Sequence, residues 1–260
     1  MQKEEIKFCD STVFEGMTSI RAIIRSNDEK ISDRQIEKIL FDKSKLSKIS
    51  KEIGYFKAVS DKYGFDIVES NTEELDKITL GNSHGGIVAI TSARTIPKFN
   101  DATSLPAKGF FAMIQGIEDP YNFGYSLRSL YACGVSGILL PKRNWMSAAG
   151  VVCRSSAGAS ELLDMYETDD AESAVKIFKQ RGYTVVCADE NTDNVLGECA
   201  LPLPILLIVG GERRGISRSV LNNADILVKI AYAREFKASL SAASATTMFA
   251  YEIMRQNIIK

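Results

Sequence analysis

Five apolar runs of strand length, FFAMIQGI, GILLP, YTVVCA, PILLIV and ADILVKIAY, are spread over residues 110–232, with helix-length segments between several of them. A strand that is apolar along its whole length is buried on both faces, the situation of a parallel sheet covered by helices. Such sheets bind ligands beyond the carboxyl ends of their strands. Helical candidates YSLRSLYACG and SAVKIFKQRG lie among the runs, and SLSAASATTMFAYEIMRQNIIK closes the chain. The N-terminal part alternates too, through MTSIRAIIRS, QIEKILFD, KISKEIGYFKAVSDKYG, FDIVES, TEELDKITL and GIVAIT. In its longest helical segment Ile53, Phe56 and Val59 recur near the helical period. The fold class is therefore α/β. Turn formers crowd residues 93–109, which places a linker at 99–107 between a domain at 1–98 and a larger one at 108–260.

A chain of 260 residues buries cores of this kind without staples. Its net charge of -1, with acids and bases interspersed, restricts any nucleic-acid surface to a local patch. Cys9, Cys133, Cys153, Cys187 and Cys199 form no CxxC pair, which argues against a disulfide framework or a zinc site. The start, MQKEEIKFCD, lacks a signal-type apolar core, and no stretch approaches the roughly 18 apolar residues of a membrane span. The expectation is a reduced, cytoplasmic protein with no membrane anchor and no metal. The single histidine, His84, sits in GNSHGGIVAI and reads as a turn or packing residue rather than a catalytic base.

The run PILLIV stops at VGGERRG, residues 209–215. A Walker loop would need Lys where Ile216 stands, and a dinucleotide turn would need glycine where Glu212 stands. An NTPase or a nucleotide-dependent oxidoreductase is disfavoured accordingly. Taken alone, the segment could be a plain turn, with Glu212 favouring the next helix dipole and Arg213 and Arg214 solvated. Two other segments add to it. In DPYNFGYSLRSLYACGVSGILLP, Asn122 and Gly124 form a turn, and Arg128 follows in a helix from which it could reach a phosphate at the same sheet end. In AREFKASLSAASATTMFAYEIMRQ, Ser239, Leu240 and Ser241 open a helix rich in small residues, with hydroxyls suited to capping. Each has a bland alternative as a turn former, a surface charge or an ordinary cap.

Taken in order, the three segments resemble the motifs of the SpoU/TrmH family of RNA ribose 2'-O-methyltransferases, in the knotted SPOUT class. NFGYSLRSLYACGVSGILLP looks like its first motif, LLIVGGERRGIS its second and VKIAYAREFKASLSAASA its third, with RSSAGASE at 154–161 similar to the step between motifs. The resemblance runs from about residue 108 to the C-terminus. Less closely, residues 1–98 look like the L30e-like RNA-binding domain of many members, LGNSHGGIVAI replacing a His-Gln-Gly-Val step.

The resemblance implies a parallel-sheet catalytic domain with a deep trefoil knot, S-adenosylmethionine bound within it, and a homodimer whose interface completes the site. It implies methyl transfer to structured RNA, ribosomal RNA being favoured, with transfer RNA or a non-catalytic RNA-binding role as alternatives. By matching position, the catalytic set would be Asn122, Arg128, Glu212, Ser239 and Ser241. The cofactor would meet Gly210, Gly211, Ile230, Ser239 and Leu240, walled by Leu207, Ile208 and Ile216. Three departures fall in the third motif. Ser241 stands where most members have Asn, Ala231 replaces the usual Pro, and the spacer from Ile230 to Leu240 is one residue longer than the family's. Arg213 and Arg214 are left open between RNA-phosphate and dimer contacts.

Overall fold

Every apolar run becomes a strand, as seen in the computed structural model, which describes residues 12–79, 84–117, 119–141 and 145–257. The elements are β1 (Val13–Glu15), α1 (Gly16–Asp28), β2 (Ile36–Asp42), α2 (Leu46–Tyr63), β3 (Asp66–Ser70), α3 (Thr72–Ile78) and β4 (Ile87–Thr91). Then come β5 (Phe110–Gln115), α4 (Pro120–Ala132), β6 (Gly137–Pro141), α5 (Ala149–Ser155), β7 (Met165–Thr168) and α6 (Ala171–Gln180). The chain ends with β8 (Thr184–Ala188), β9 (Ile205–Gly210), α7 (Arg218–Leu221), β10 (Ile226–Val228) and α8 (Ala242–Asn257). It divides into two units, residues 1–95 with 145–162, and residues 96–144 with 163–260.

The second unit is a six-stranded sheet ordered β10-β8-β9-β5-β6-β7, parallel at every pairing. At its centre β5 and β9 pair from Phe110 with Ile205 to Gln115 with Gly210, so both strands stop at the same level. Their side chains are buried on both faces, as the unbroken apolar runs require. Phe111, Phe178 and Tyr183 form a cluster of tilted and edge-on rings under α6. The expected linker is packed into this unit rather than free. Phe99 stacks on Phe178 with centroids 4.9 Å apart, and its N–H donates to the Glu167 carbonyl at 2.8 Å beside β7. Its turn chemistry holds, since Asn100 Oδ1 accepts from Ala102 N–H.

The first unit has a four-stranded sheet ordered β1-β4-β2-β3, antiparallel except between β2 and β3. Ile20, Ile23 and Ile24 of α1 and Ile49, Ile53 and Phe56 of α2 belong to its core with Ile39, Phe41 and Phe65. His84 is fully buried; its Nδ1 accepts from Gly86 N–H at 3.1 Å and its Nε2 lies 3.1 Å from Asp76 Oδ1. That fixes the entry to β4, in keeping with a turn residue.

Residues 145–162, which the motif order assigns to the larger domain, pack with the first unit instead. Glycines make the approach possible: a Cβ at Gly150 would lie 2.0 Å from the Val13 carbonyl oxygen, and one at Gly158 2.6 Å from Ala22 Cβ. Gly158 also has φ +89, a conformation that favours glycine. Buried Glu161 then meets buried Arg34, Oε2 to Nε at 3.0 Å, with the guanidinium 4.6 Å from the centre of the Phe14 ring. Arg34 Nη1 donates to the Ser92 carbonyl at 2.8 Å, and Arg94 Nη1 to that of Ser160 at 2.9 Å.

Candidate cofactor and active site

Two turns meet where β5 and β9 end. Gly211 N–H donates to the Gln115 carbonyl at 2.7 Å, and Gly215 N–H to the Gly211 carbonyl at 2.9 Å, closing 211–215 into a tight loop. Gln115 Oε1 accepts from Ser217 N–H at 2.8 Å and braces the exit. Backbone crowding explains the glycines: a Cβ at Gly210 would lie 2.8 Å from Gly215 Cα, and one at Gly211 2.0 Å from the Gly116 carbonyl oxygen.

Two helices begin at this edge. Asp119 caps α4, accepting from Asn122 N–H at 2.8 Å, with Pro120 in the first turn, so Asn122 and Gly124 lie inside the helix rather than in the expected turn before it. Ser241 caps α8, its Oγ accepting from Ser244 N–H at 3.1 Å, while Glu212 Oε1 accepts from Ala242 N–H at 3.4 Å. Glu212 thereby ties the loop after β9 to the positive end of the α8 dipole.

Glu212 lines two cavities. The first, of about 310 Å³, is bounded by Ile117, Asp119, Asn122, Glu212, Arg213 and Ala242. The second, of about 300 Å³, lies past the ends of β8 and β9. Its walls include Val209, Ile216, Ile230, Leu240 and Phe249, the backbone of Gly210, Gly211 and Gly215, and the side chains of Ser239 and Tyr232. Asp189, Glu190 and Glu212 also line it, and among the described residues no lysine, arginine or histidine does.

Of the residues singled out in the sequence, Gly210, Gly211, Ile216, Ile230, Ser239 and Leu240 border the second cavity, and Asn122 and Glu212 the first. Leu207 and Ile208 do not form the expected wall. They are fully buried within β9, paired with β5 and β8, and the cavity opens only at Val209. Ser241 faces neither cavity and serves as the α8 cap. Arg128 does not reach back to the sheet end. Six residues of helix turn it about 120° away from Asn122. It shares an exposed face with Tyr121 and Tyr125, without a hydrogen bond or ion pair among the described residues. Asp189, Glu190 and Asn191 were missed, although the rule that ligands lie past strand ends points to the residues after β8.

Burial pushes the Cys153 and Cys187 thiols up to about 12 and raises those of Cys133 and Cys199. They stay protonated at neutral pH and are poor nucleophiles. Among the described residues no His/Cys/Asp/Glu group of three could hold a metal ion, and no helix is long and apolar enough to cross a membrane.

The fold is that of solved SpoU-type methyltransferases. The SpoU methyltransferase AviRb from Streptomyces viridochromogenes, in complex with the cofactor AdoMet, matches at a TM-score of 0.77 and 21% identity, covering 94% of this chain and 89% of that one. An AdoMet-bound rRNA methyltransferase from Sinorhizobium meliloti matches at 0.74 and 20%, covering 94% and 87%. In sequence, the chain is 27% identical over 259 residues to the 23S rRNA (guanosine-2'-O-)-methyltransferase RlmB of Shewanella oneidensis, covering 98% of this chain and 99% of that one. A profile of the SpoU rRNA Methylase family matches residues 109–251, and the chain belongs to that family.

Proposed function

We propose that this protein transfers a methyl group from S-adenosylmethionine to a ribose 2'-hydroxyl of structured RNA, with ribosomal RNA as the substrate class. The observation that carries the reading is the pair of cavities that share Glu212 at the ends of parallel strands, the second combining apolar side chains and close glycine backbone with the carboxylates of Asp189 and Glu190. The second cavity fits S-adenosylmethionine by its chemistry: apolar walls for adenine, close backbone at the glycines, and carboxylates without a competing cation for a sulfonium. When bound, the cofactor supplies an electrophilic methyl group. The protein's part is positioning, which in ideal cases contributes up to about 7 to 11 kcal/mol. Asn122 and Arg213 border the first cavity, where the ribose and its phosphate would lie, and Glu212 holds the loop between the two.

Arg128 completes the site from a second copy of the chain. Tyr121 and Tyr125 of α4 are each 48% exposed, and Met248 and Tyr251 of α8 are 43% and 53% exposed. The two helices touch through Ser129 and Thr247, whose hydroxyls are 2.6 Å apart. A joined face of this kind suits an isologous dimer, in which the partner's Arg128 approaches the cavities. A guanidinium stays protonated, so its role is to orient the 2'-hydroxyl and adjacent phosphate rather than to act as a free base. The reading includes a trefoil knot at the C-terminal end of the second unit, RNA positioning by the L30e-like first unit, and residence in the cytoplasm.

The test is to map 2'-O-methyl sites in ribosomal and transfer RNA with and without the protein, alongside calorimetry with S-adenosylmethionine. Loss of a ribosomal site is expected. Loss of a transfer-RNA site instead redirects the substrate, and RNA binding with neither cofactor binding nor a lost site makes the protein a non-catalytic member of the fold.

A further inference from the structure

The spacer between β10 and α8 departs from the family's pattern, and its residues 231–239 are exposed throughout. Within it Tyr232 and Phe236 are 43% and 56% exposed and meet edge to face, ring centroids 5.8 Å apart at 69°. Tyr232 is anchored, because its hydroxyl accepts from Leu240 N–H at 3.2 Å, and it lines the second cavity. Phe236 does not line that cavity. Arg234 and Lys237 flank it, outnumbering Glu235 and giving the segment a local positive charge.

We infer that Tyr232 and Phe236 form a stacking lip at the mouth of the cofactor cavity, which takes an unpaired nucleobase of the RNA while Arg234 and Lys237 meet its phosphates. This rests on the function proposed above. A ribose in a stacked helix presents its 2'-hydroxyl to a protein only at the groove, and recognition of a single nucleotide requires its base to leave the stack and find a new face. Phe236 offers such a face, held at a fixed tilt by an anchored neighbour, and aromatic stacking accepts any base. Because Phe236 lies outside the lining of the cofactor cavity, its contribution falls on RNA.

The experiment uses full-length protein and an unmodified, radiolabelled 23S rRNA transcript. Filter binding gives RNA affinity, calorimetry gives S-adenosylmethionine affinity, and tritiated cofactor gives methyl transfer. Phe236→Ala should weaken RNA binding by roughly 5- to 150-fold, the loss of one stacked base. Its cofactor affinity should stay within about twofold of wild type. Phe236→Trp should restore binding and Phe236→Leu should not. RNA affinity unchanged in Phe236→Ala, full rescue by leucine, or a parallel loss of cofactor affinity overturns the lip. Wild-type protein that binds the transcript without methylating it overturns the proposed reaction on this RNA, and the binding ratios still decide the lip. Wild-type protein that does not bind the transcript overturns both.

Discussion

If Arg128 acts across a dimer, two inactive proteins should make an active one. Arg128→Ala removes the guanidinium and leaves the cavities of its own chain intact, since Arg128 lines neither. Ala245→Phe does the reverse. Ala245 lines the second cavity, of about 300 Å³, and a phenyl group there leaves no room for an adenosyl group, while Arg128 is untouched. Each homodimer should be inactive. In a heterodimer purified through two different tags, the Arg128→Ala chain offers an open cavity to the partner's Arg128, and the other site lacks both. One of two sites is restored, so activity should be about half that of the wild-type dimer. Calorimetry should find about one cofactor per heterodimer. An arginine serving its own chain leaves neither site complete, so activity at the homodimer background refutes the reasoning.

Three further outcomes follow from the packing. Glu161→Ala takes away the carboxylate paired with the Arg34 guanidinium, which is 2% exposed, and should cost roughly 3–5 kcal/mol in a denaturant titration; a loss under about 1 kcal/mol would mean that the pair is not buried as described. Gly211→Ala puts a methyl group 2.0 Å from the Gly116 carbonyl oxygen and should abolish cofactor binding, whereas Gly54→Ala, with open space inside α2, should leave stability unchanged or raise it by up to about 1 kcal/mol. Hydrogen bonds from Thr72 and then Ser44 hold the Asp42 carboxyl below its usual 3.8. A lowered folded-state value gives stability that is complete above 3.8 and is lost as pH falls through the folded value. The stability advantage of wild type over Asp42→Asn should therefore shrink in urea titrations from about pH 6 to about pH 3, and an advantage that grows on acidification would reverse the assignment.

The strands at the sheet centre were legible because β5, β6, β8 and β9 are buried on both faces and so leave unbroken apolar runs. The edge strand β7, with the sequence MYET, gives no such signal, since Tyr166 and Glu167 are only half-buried. The site was legible where backbone crowding demands glycine, at Gly210 and Gly211. Spacing along the chain hid the rest. It does not tell which way Arg128 points from α4, or that β9 buries Leu207 and Ile208 before its cavity opens. The partner of RSSAGASE was hidden for another reason: Glu161 meets Arg34 across 127 residues, and no local pattern reports a contact so distant.

The excursion of residues 145–162 bears on how such a protein can be taken apart or inherited. The backbone passes from one unit to the other at 95–96, again at 144–145 and once more at 162–163. A gene truncated at the first crossing would yield an N-terminal half missing α5 and the carboxylate that Glu161 brings to Arg34. A gene begun there would carry a stretch of chain whose packing partners had been discarded. The halves are not beads on a string: exchanging one between relatives means exchanging part of the other's coding sequence as well, and protease nicking at the first crossing alone would not release either piece.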